Sequence, residues 1–308
     1  METKQKPIEA HRQQKLSFVL ITPARNEAAF IEETIKAVIA QTVLPLKWVI
    51  VSDGSTDETD EIVYSYCLKK PWIELVKMPK RAERHFAGKV HAFNSGYTKV
   101  KDIEHDIIGS LDADITFETD YFDFLLRKFL ENPNLGVGGT PFRENGKTYD
   151  YRFSRKEHVS GACQLFRRRC FEDIGGYTPI KAGAIDLVAV VTARMKGWET
   201  ETFPEKISIH HRRTSAAKYG ILSAFFKDGY YDYPMGVHPA WELTRTVYNV
   251  FKKPLFIGGM THMAGYFWAM VTRVPKPVSN EFVRFRRKEQ IKWLKEYFRR
   301  FLPVARFN

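Results

Sequence analysis

The chain has few cysteines, with three in 308 residues, at Cys67, Cys163 and Cys170. They form no CxxC pair and no even-numbered framework, which excludes a small secreted domain held together by disulfides. The first fifteen residues (METKQKPIEAHRQQK) also lack the apolar stretch that a secretory signal carries. Both absences predict a reducing, cytoplasmic environment.

Long uncharged stretches are equally scarce. Residues 254–272 (PLFIGGMTHMAGYFWAMVT) contain no formal charge, and their length only just reaches the ~20 residues that a membrane-spanning helix needs. Three glycines, Thr261 and His262 make insertion marginal. We expect a helix or helical pair that lies in the membrane interface, with an ordinary packed helix as the alternative. The expected interfacial anchors are Tyr266, Phe267 and Trp268.

Acidic residues are outnumbered, since 48 Lys and Arg against 36 Asp and Glu give a net charge of +12. Nine Lys or Arg and three Glu lie between Glu281 and Asn308. Such a basic end indicates a polyanionic neighbour, either nucleic acid or a lipid surface. Four apolar residues recur there at helical spacing, which predicts an amphipathic helix that binds an anionic membrane or covers the rest of the protein. These residues are Ile291, Leu294, Phe298 and Phe301.

Apolar runs of strand length alternate with helical patterns from residue 16 to about residue 140. The runs cover residues 16–22, 48–51, 72–76, 107–111 and 135–139. This alternation predicts an α/β fold with a mostly parallel sheet, in which ligands bind at the carboxyl ends of the strands. Ser55 and Glu58 have the spacing of a capping box and predict a helix over Asp60–Leu68. Residues 141–160 are expected to form a loop or a short antiparallel excursion, and Ile207–His210 one more short strand.

Carboxylates follow three of the predicted strands. Glu27 comes after the first strand, Asp53 after the second, and Asp112 and Asp114 after the strand at 107–111. Two carboxylates one residue apart can point to the same side of an extended segment. Placed at a strand end, they predict a site for Mg²⁺ or Mn²⁺ that leaves coordination positions for phosphate oxygens.

Four motifs occur in order along this part of the chain: TPARNE (22–27), VSDGSTD (51–57), GKVHAFN (88–94) and LDAD (111–114). A fifth segment continues them, with Gly161-Ala162 followed by RRCFEDIGGY (168–177). Together they closely resemble the inverting family-2 glycosyltransferases. The resemblance covers roughly residues 16–213 and implies the nucleotide-sugar fold called GT-A, a mostly parallel sheet with helices on both faces.

We expect three regions along the chain, of which the resemblance covers the second. Residues 1–15 form a polar leader, and residues 16–213 form a GT-A catalytic domain. This domain divides into a nucleotide-sugar half, about 16–114, and an acceptor half, about 115–213. Residues 214–308 form a largely helical, basic and aromatic region that we expect to associate with a membrane.

Donor-site residues follow from the matching motifs. The resemblance places Pro23, Ala24, Arg25 and Glu27 in the first nucleotide-contact loop, and Asp53 on the base or ribose. It implies that Lys89 meets a phosphate, although a solvent-facing helix lysine is the alternative. Asp112 matches the ribose- or metal-facing residue of the triplet, and Asp114 the direct ligand of Mg²⁺ or Mn²⁺.

The acceptor half supplies the remaining chemistry. Asp186 lies twelve residues before Trp198, where the family carries its general base, in the first turn of a predicted helix. Ile185 stands where the family usually has a glutamate, which leaves a secondary acceptor contact open. His210 is the candidate third metal ligand, with His211 as the competing assignment. Arg212 and Arg213 are expected to close over the diphosphate as a clamp.

The resemblance implies an inverting hexosyl transfer. Because nothing resembles the QxxRW signature of processive synthases, we expect one sugar to be moved per encounter. The expected acceptor is lipid-linked, at the inner face of the cell membrane, where the enzyme is peripheral or monotopic. A sugar-nucleotidyltransferase is an alternative, but its glycine-rich loop is missing from residues 22–27. A basic membrane- or nucleic-acid-binding protein is another, and neither zinc spacing nor an RNP-like strand supports nucleic acid. The donor base and sugar are left open.

Overall fold

The computed structural model describes residues 15–80, 86–144, 155–212, 220–250 and 255–301. Seven strands form the central sheet: β1 (Phe18–Ala24), β2 (Lys47–Asp53), β3 (Ile73–Met78), β4 (Ile107–Leu111), β6 (Leu135–Gly139), β8 (Cys163–Arg167) and β9 (Glu199–Thr202). Their order is β3-β2-β1-β4-β8-β6-β9. β8 runs antiparallel to both of its neighbours, whereas the other pairings are parallel. The predicted α/β fold with a mostly parallel sheet is confirmed.

A second sheet has three short strands, β5 (Ile115–Thr116), β7 (Phe142–Arg143) and β10 (Ser208–His210). The middle strand, β10, pairs antiparallel with β5 and parallel with β7. The predicted antiparallel excursion within 141–160 is therefore wrong for β7, and residues 145–154 lie outside the described residues. Residues 15–212, where the sequence predicts the active site, are called the catalytic half below. Because His210 pairs with Ile115, the small sheet brings the end of this half next to the Asp112–Asp114 triplet.

Within the described residues, ten helices flank and follow the sheets: α1 (Ile31–Ile39), α2 (Thr59–Cys67), α3 (Ala87–Tyr97), α4 (Tyr121–Glu131), α5 (Arg168–Asp173), α6 (Ile185–Met195), α7 (Ile221–Asp232), α8 (Pro239–Val250), α9 (Ile257–Val271) and α10 (Asn280–Phe301). Alternate residues of β1 enter opposite cores, Phe18 and Leu20 on one face and Val19 and Ile21 on the other. This alternation is what a strand covered by helices on both faces requires.

The start of α2 differs from the sequence prediction. The N-cap of the helix is Glu58, which makes no side-chain capping hydrogen bond. Asp57 accepts instead, from the backbone N–H of Thr59 at 3.2 Å and from its hydroxyl. Ser55 accepts a hydrogen bond from the Asn26 backbone, across to the loop after β1. The capping-box prediction is therefore wrong, because Ser55 joins two loops rather than closing its own helix.

Helices α7 to α10 form a C-terminal helical layer. Gly229 on α7 and Gly265 on α9 let these helices cross closely, since a Cβ at either position would clash with the partner helix's backbone carbonyls. The long helix α10 lies against the catalytic half, where Arg194 donates two hydrogen bonds to Glu289, at 2.8 and 3.1 Å. Of the two roles predicted for the basic end, covering the protein is the one that the inner face of α10 takes.

Candidate active site

The loops after β1 and β2 are tied together at one edge of the sheet. Asn26 has a left-handed backbone (φ 55°), which asparagine tolerates better than most residues. Its side-chain oxygen accepts a hydrogen bond from the backbone N–H of Thr56 at 2.8 Å. Nη1 of Arg25 lies 3.8 Å from Oδ2 of the buried Asp53. Pro23 and Ala24, as the last residues of β1, lie beside Val51 and Ser52 at this edge.

Glu27 lies close to Asp114 and Asp112, and we call these three residues the acidic corner. Arg212 forms an ion pair with its carboxylate, and Nε of Arg212 lies 3.6 Å from Oδ2 of Asp114. Burial raises the pKa of Glu27 to about 7; Arg212 opposes the rise, whereas Asp114 and Asp112 add to it. Three segments distant in sequence thus meet at one charged cluster. Arg213 lies outside the described residues.

His210 and Asp114 offer a donor set that fits a divalent cation. Nε2 of His210 lies 3.4 Å from Oδ2 of Asp114, a separation that allows both atoms to bind one ion. Nδ1 of His210 is buried without a hydrogen-bond partner and lies 3.8 Å from Oε2 of Glu144. His211 is engaged elsewhere, because its Nε2 is 2.8 Å from the hydroxyl of Thr116. The geometry favours His210 of the two histidines.

Lys89 connects this corner to the acceptor half. Its ammonium group forms an ion pair with Asp112, so the alternative of a solvent-facing lysine is not what the structure shows. Burial opposes the charge on Lys89, but Asp112 and, more weakly, Asp186 and Asp114 outweigh it and raise the pKa of the lysine. Burial raises the pKa of Asp112 although Lys89 opposes this. The carboxylate of Asp112 is therefore paired with the ammonium group of Lys89.

Asp186 occupies the first turn of α6, as predicted, after Ala184 in a left-handed conformation (φ 60°). A small pocket contains both Asp186 and Lys89, together with Ser110, Gly161, Gln164 and Tyr177. A Cβ at position 161 would lie 3.0 Å from Oδ2 of Asp186, so glycine there leaves the carboxylate its space. Lys89, which lines this pocket and pairs with Asp112, thus links Asp186 to the Asp112–Asp114 triplet.

Sequence reasoning missed two site residues. Glu144 faces His210, but it follows no strand-end motif that would reveal it. His158 interacts with Asp186; burial lowers the pKa of this histidine more than the nearby carboxylate raises it. No pattern around His158 in the sequence points to this contact, which arises from the folding of residues 155–160 beside α6.

A second cluster of ionisable groups lies in the helical layer, with Asp232, Glu242 and His262 on three different helices. Nδ1 of His262 is 2.6 Å from Oε1 of Glu242, whereas Nε2 is 3.4 Å from Oδ2 of Asp232. The carboxylates therefore face different nitrogens of the ring, and Arg245 also pairs with Asp232. We interpret this cluster as a buried ion-pair network rather than a metal centre.

Comparison with known families gives one match. The family model described as "Glycosyl transferase family 2" matches residues 19–185, which is more than half of the chain. The match includes the loops after β1, β2 and β4 and ends one residue before Asp186.

Curated relatives are polymer synthases. The poly-β-1,6-N-acetyl-D-glucosamine synthase of Staphylococcus aureus strain COL is 26% identical over 210 residues, which cover 64% of this chain and 46% of the synthase. The corresponding synthase of Staphylococcus epidermidis is 24% identical over 211 residues, 66% of this chain and 47% of the synthase. The chain thus spans about half the length of the curated relatives that it matches.

Solved structures share the fold. The mannosyltransferase PcManGT of Pyrobaculum calidifontis, crystallised with GDP-Man and Mn²⁺, has a TM-score of 0.54 at 18% identity, covering 94% of this chain and 84% of the other. TarS 1–349 of S. aureus with UDP has a TM-score of 0.55 at 14% identity, covering 94% and 93%. These likenesses support the GT-A fold.

Proposed function

Because the chain belongs to glycosyl transferase family 2, we propose that it moves one sugar from a nucleotide-diphosphate donor to an acceptor hydroxyl or phosphate, with inversion at the anomeric carbon. The observation that carries this proposal is the position of Lys89, which pairs with Asp112 and also lines the pocket of Asp186. It joins the donor-side carboxylates to a separate carboxylate on the acceptor side. In a direct displacement, the attacking hydroxyl and the departing diphosphate lie on opposite sides of one anomeric carbon. The carboxylates that serve these two groups must therefore lie close together.

Donor binding uses the edge of the sheet formed by β1 and β2. Asp53 accepts hydrogen bonds from the base or ribose, a task that suits a carboxylate because it has two acceptor oxygens. Pro23, Ala24 and Arg25 line the approach to it. Lys89, Arg212 and Arg213 meet the diphosphate, and Arg212 exchanges its contact with Glu27 for phosphate oxygens. The solved structures that contain GDP-Man and UDP support a nucleotide sugar of this kind.

Asp114 and His210 would hold Mg²⁺ or Mn²⁺, with Asp112 nearby. When bound, such an ion supplies positive charge to the departing diphosphate. The Mn²⁺ in the PcManGT structure supports a divalent cation. The carboxylate and imidazole donors suit Mn²⁺ well.

Asp186 acts as the general base. It lies in the first turn of α6, at the positive end of the helix dipole. Removal of the acceptor proton by such a group typically contributes ~10²–10⁴ in rate. Gly161 leaves space in front of the carboxylate for the incoming hydroxyl.

The acceptor is a lipid-linked glycan or polyprenyl phosphate, met by a peripheral or monotopic enzyme at the inner face of the cell membrane. The polymer named for the curated relatives supports a role in glycan or polysaccharide biosynthesis. No described helix is long and apolar enough to cross a bilayer.

A panel of donors tests the proposal. We expect one family among UDP-, GDP- and dTDP-sugars to raise the melting temperature, and Mn²⁺ to increase that rise, because binding stabilises by RT ln(1 + [L]/Kd). The variant Asp53→Asn tests the base or ribose contact, and it should show a smaller rise in melting temperature with the preferred nucleotide sugar. If no nucleotide sugar stabilises the protein with or without Mn²⁺, the proposed donor class is wrong.

A further inference from the structure

Helix α9 presents an apolar face to solvent. Its exposed residues are Ile257, Met260, Ala264, Phe267, Trp268 and Val271, which we call the α9 face. At 100° per residue they cover an arc of ~100° on one side of the helix. The opposite side carries the buried residues, among them Gly258, His262, Gly265 and Tyr266. The exposed side of the helix is therefore apolar, whereas Tyr266, which the sequence predicts as an interfacial anchor, faces the protein.

Neighbouring helices extend the exposed apolar surface. The ring of Phe225 on α7 would meet a Cβ at Gly258, which places the start of α7 beside the start of α9. Ile221 and Leu222, one turn before Phe225, are exposed there. Val250 on α8 approaches Gly259, and Val247, one turn earlier, is also exposed. Exposed apolar residues thus occur on three helices that pack on one another, and large exposed apolar surfaces mark sites of association.

Charge identifies the occupant of this surface. Residues 243–280 contain five Lys or Arg and no Asp or Glu, although the chain as a whole contains 36 acidic residues. Arg273 is exposed directly after α9, and Lys276 lies 5.2 Å from the ring of Tyr233. The cations at the end of the α9 face match a bilayer whose headgroups are anionic, because each nearby basic side chain strengthens binding.

We propose that the α9 face docks on the surface of an anionic lipid bilayer, with α9 parallel to the membrane plane. The fifteen residues of α9 extend ~22 Å, shorter than the ~30 Å hydrocarbon core, so the helix lies on the bilayer rather than across it. Trp268 and Phe267 enter the interfacial region, and Arg273 meets headgroup phosphates. The inference rests on the proposed function for its membrane location, whereas this surface is separate from the pocket of Asp186 and does not depend on the reaction there.

Vesicle binding of the full chain tests the proposal. The test variant replaces Met260, Trp268 and Val271, which are 69%, 59% and 72% exposed, by serine. The control replaces Tyr64 and Leu68 by serine; they are 57% and 70% exposed but lie on and after α2 in the catalytic half. We expect wild type and control to sediment with phosphatidylcholine–phosphatidylglycerol vesicles, and the test variant to bind at least tenfold more weakly. Thermal melts of each variant check folding.

Two further readouts identify the docking face. Lipids with brominated acyl chains should quench the tryptophan fluorescence of the wild type more than that of Trp268→Phe, because Trp268 enters the bilayer. Vesicles of phosphatidylcholine alone should bind more weakly, and salt should weaken binding to the anionic vesicles. Equal binding of test variant and wild type, or no vesicle binding by wild type, would overturn the proposal. The proposal would also be overturned if the wild type formed a dimer that the test variant does not form and neither protein bound vesicles. The α9 face would then join two copies of this chain.

Discussion

The catalytic half and the C-terminal helical layer differ in what they bury and what they expose. In the catalytic half, apolar strands fill both cores, and ionisable groups lie at the strand ends. In the helical layer, Glu242 and His262 are almost wholly buried, whereas Met260 and Val271 are exposed. A surface that handles phosphates and hydroxyls must be polar, and one that meets lipid must be apolar. The difference indicates two faces with two kinds of partner.

The largest expected effect concerns the polar face. In Asp114→Asn, the charge that would hold the cation is lost, so we expect donor stabilisation to lose its dependence on Mn²⁺ and transfer to fall by ~10²-fold or more. Thermal shift with and without Mn²⁺ measures the first effect, and product formation measures the second. Asp123→Asn, which removes an exposed acid on α4, is the control and should leave both unchanged. An undiminished Mn²⁺ response in Asp114→Asn would separate the cation from this corner.

The close crossing of α7 and α9 can be broken with one methyl group. In Gly265→Ala, the new Cβ would clash with the backbone carbonyl of Phe226, so we expect a loss of about 3 kcal/mol or complete loss of the layer's packing. The control Gly220→Ala meets nothing within 4 Å and changes only a helix start, so we expect about 1 kcal/mol or less. Urea unfolding measures both. Equal effects would mean that the helices do not cross as described.

The buried ion pairs predict a smaller, pH-dependent effect. Burial lowers the pKa of His262, but Asp232 and Glu242 outweigh this and raise it from 6.5 to about 9. Because the folded-state pKa lies above the unfolded one, the stabilisation is complete below pH 6.5 and is lost as the pH rises through about 9. Its size is at most about 3 kcal/mol.

Melting temperature between pH 6 and pH 10 measures this effect. The wild type should lose stability across the range by more than His262→Gln does, because the variant has no imidazole to deprotonate. Identical pH slopes in the two proteins would show that folding does not raise the pKa of His262.

Much of the fold could be predicted because apolar runs of strand length need no tertiary information. The first four parallel strands and Asp186 at the start of α6 lie where the sequence places them. The capping box failed because Ser55 has two possible partners, and the loop after β1 supplies the better one. Local spacing cannot reveal such a choice between neighbours that are distant in sequence.

Contacts across the site were hidden for the same reason. The ion pair of Glu27 with Arg212 joins residues 185 positions apart, and Glu144 reaches His210 through the small sheet. In the helical layer, the composition of residues 254–272 suggested lipid contact, but only the packing of α7 and α8 reveals which side of α9 is left exposed.

The sharpest test of the proposed chemistry is Asp186→Asn, which keeps the shape of the side chain but removes the base. We predict that donor binding, read by thermal shift with Mn²⁺, stays within twofold of wild type, whereas the rate of sugar transfer falls by ~10²–10⁴. Near-native transfer by this variant would contradict the assignment of the acceptor proton to Asp186.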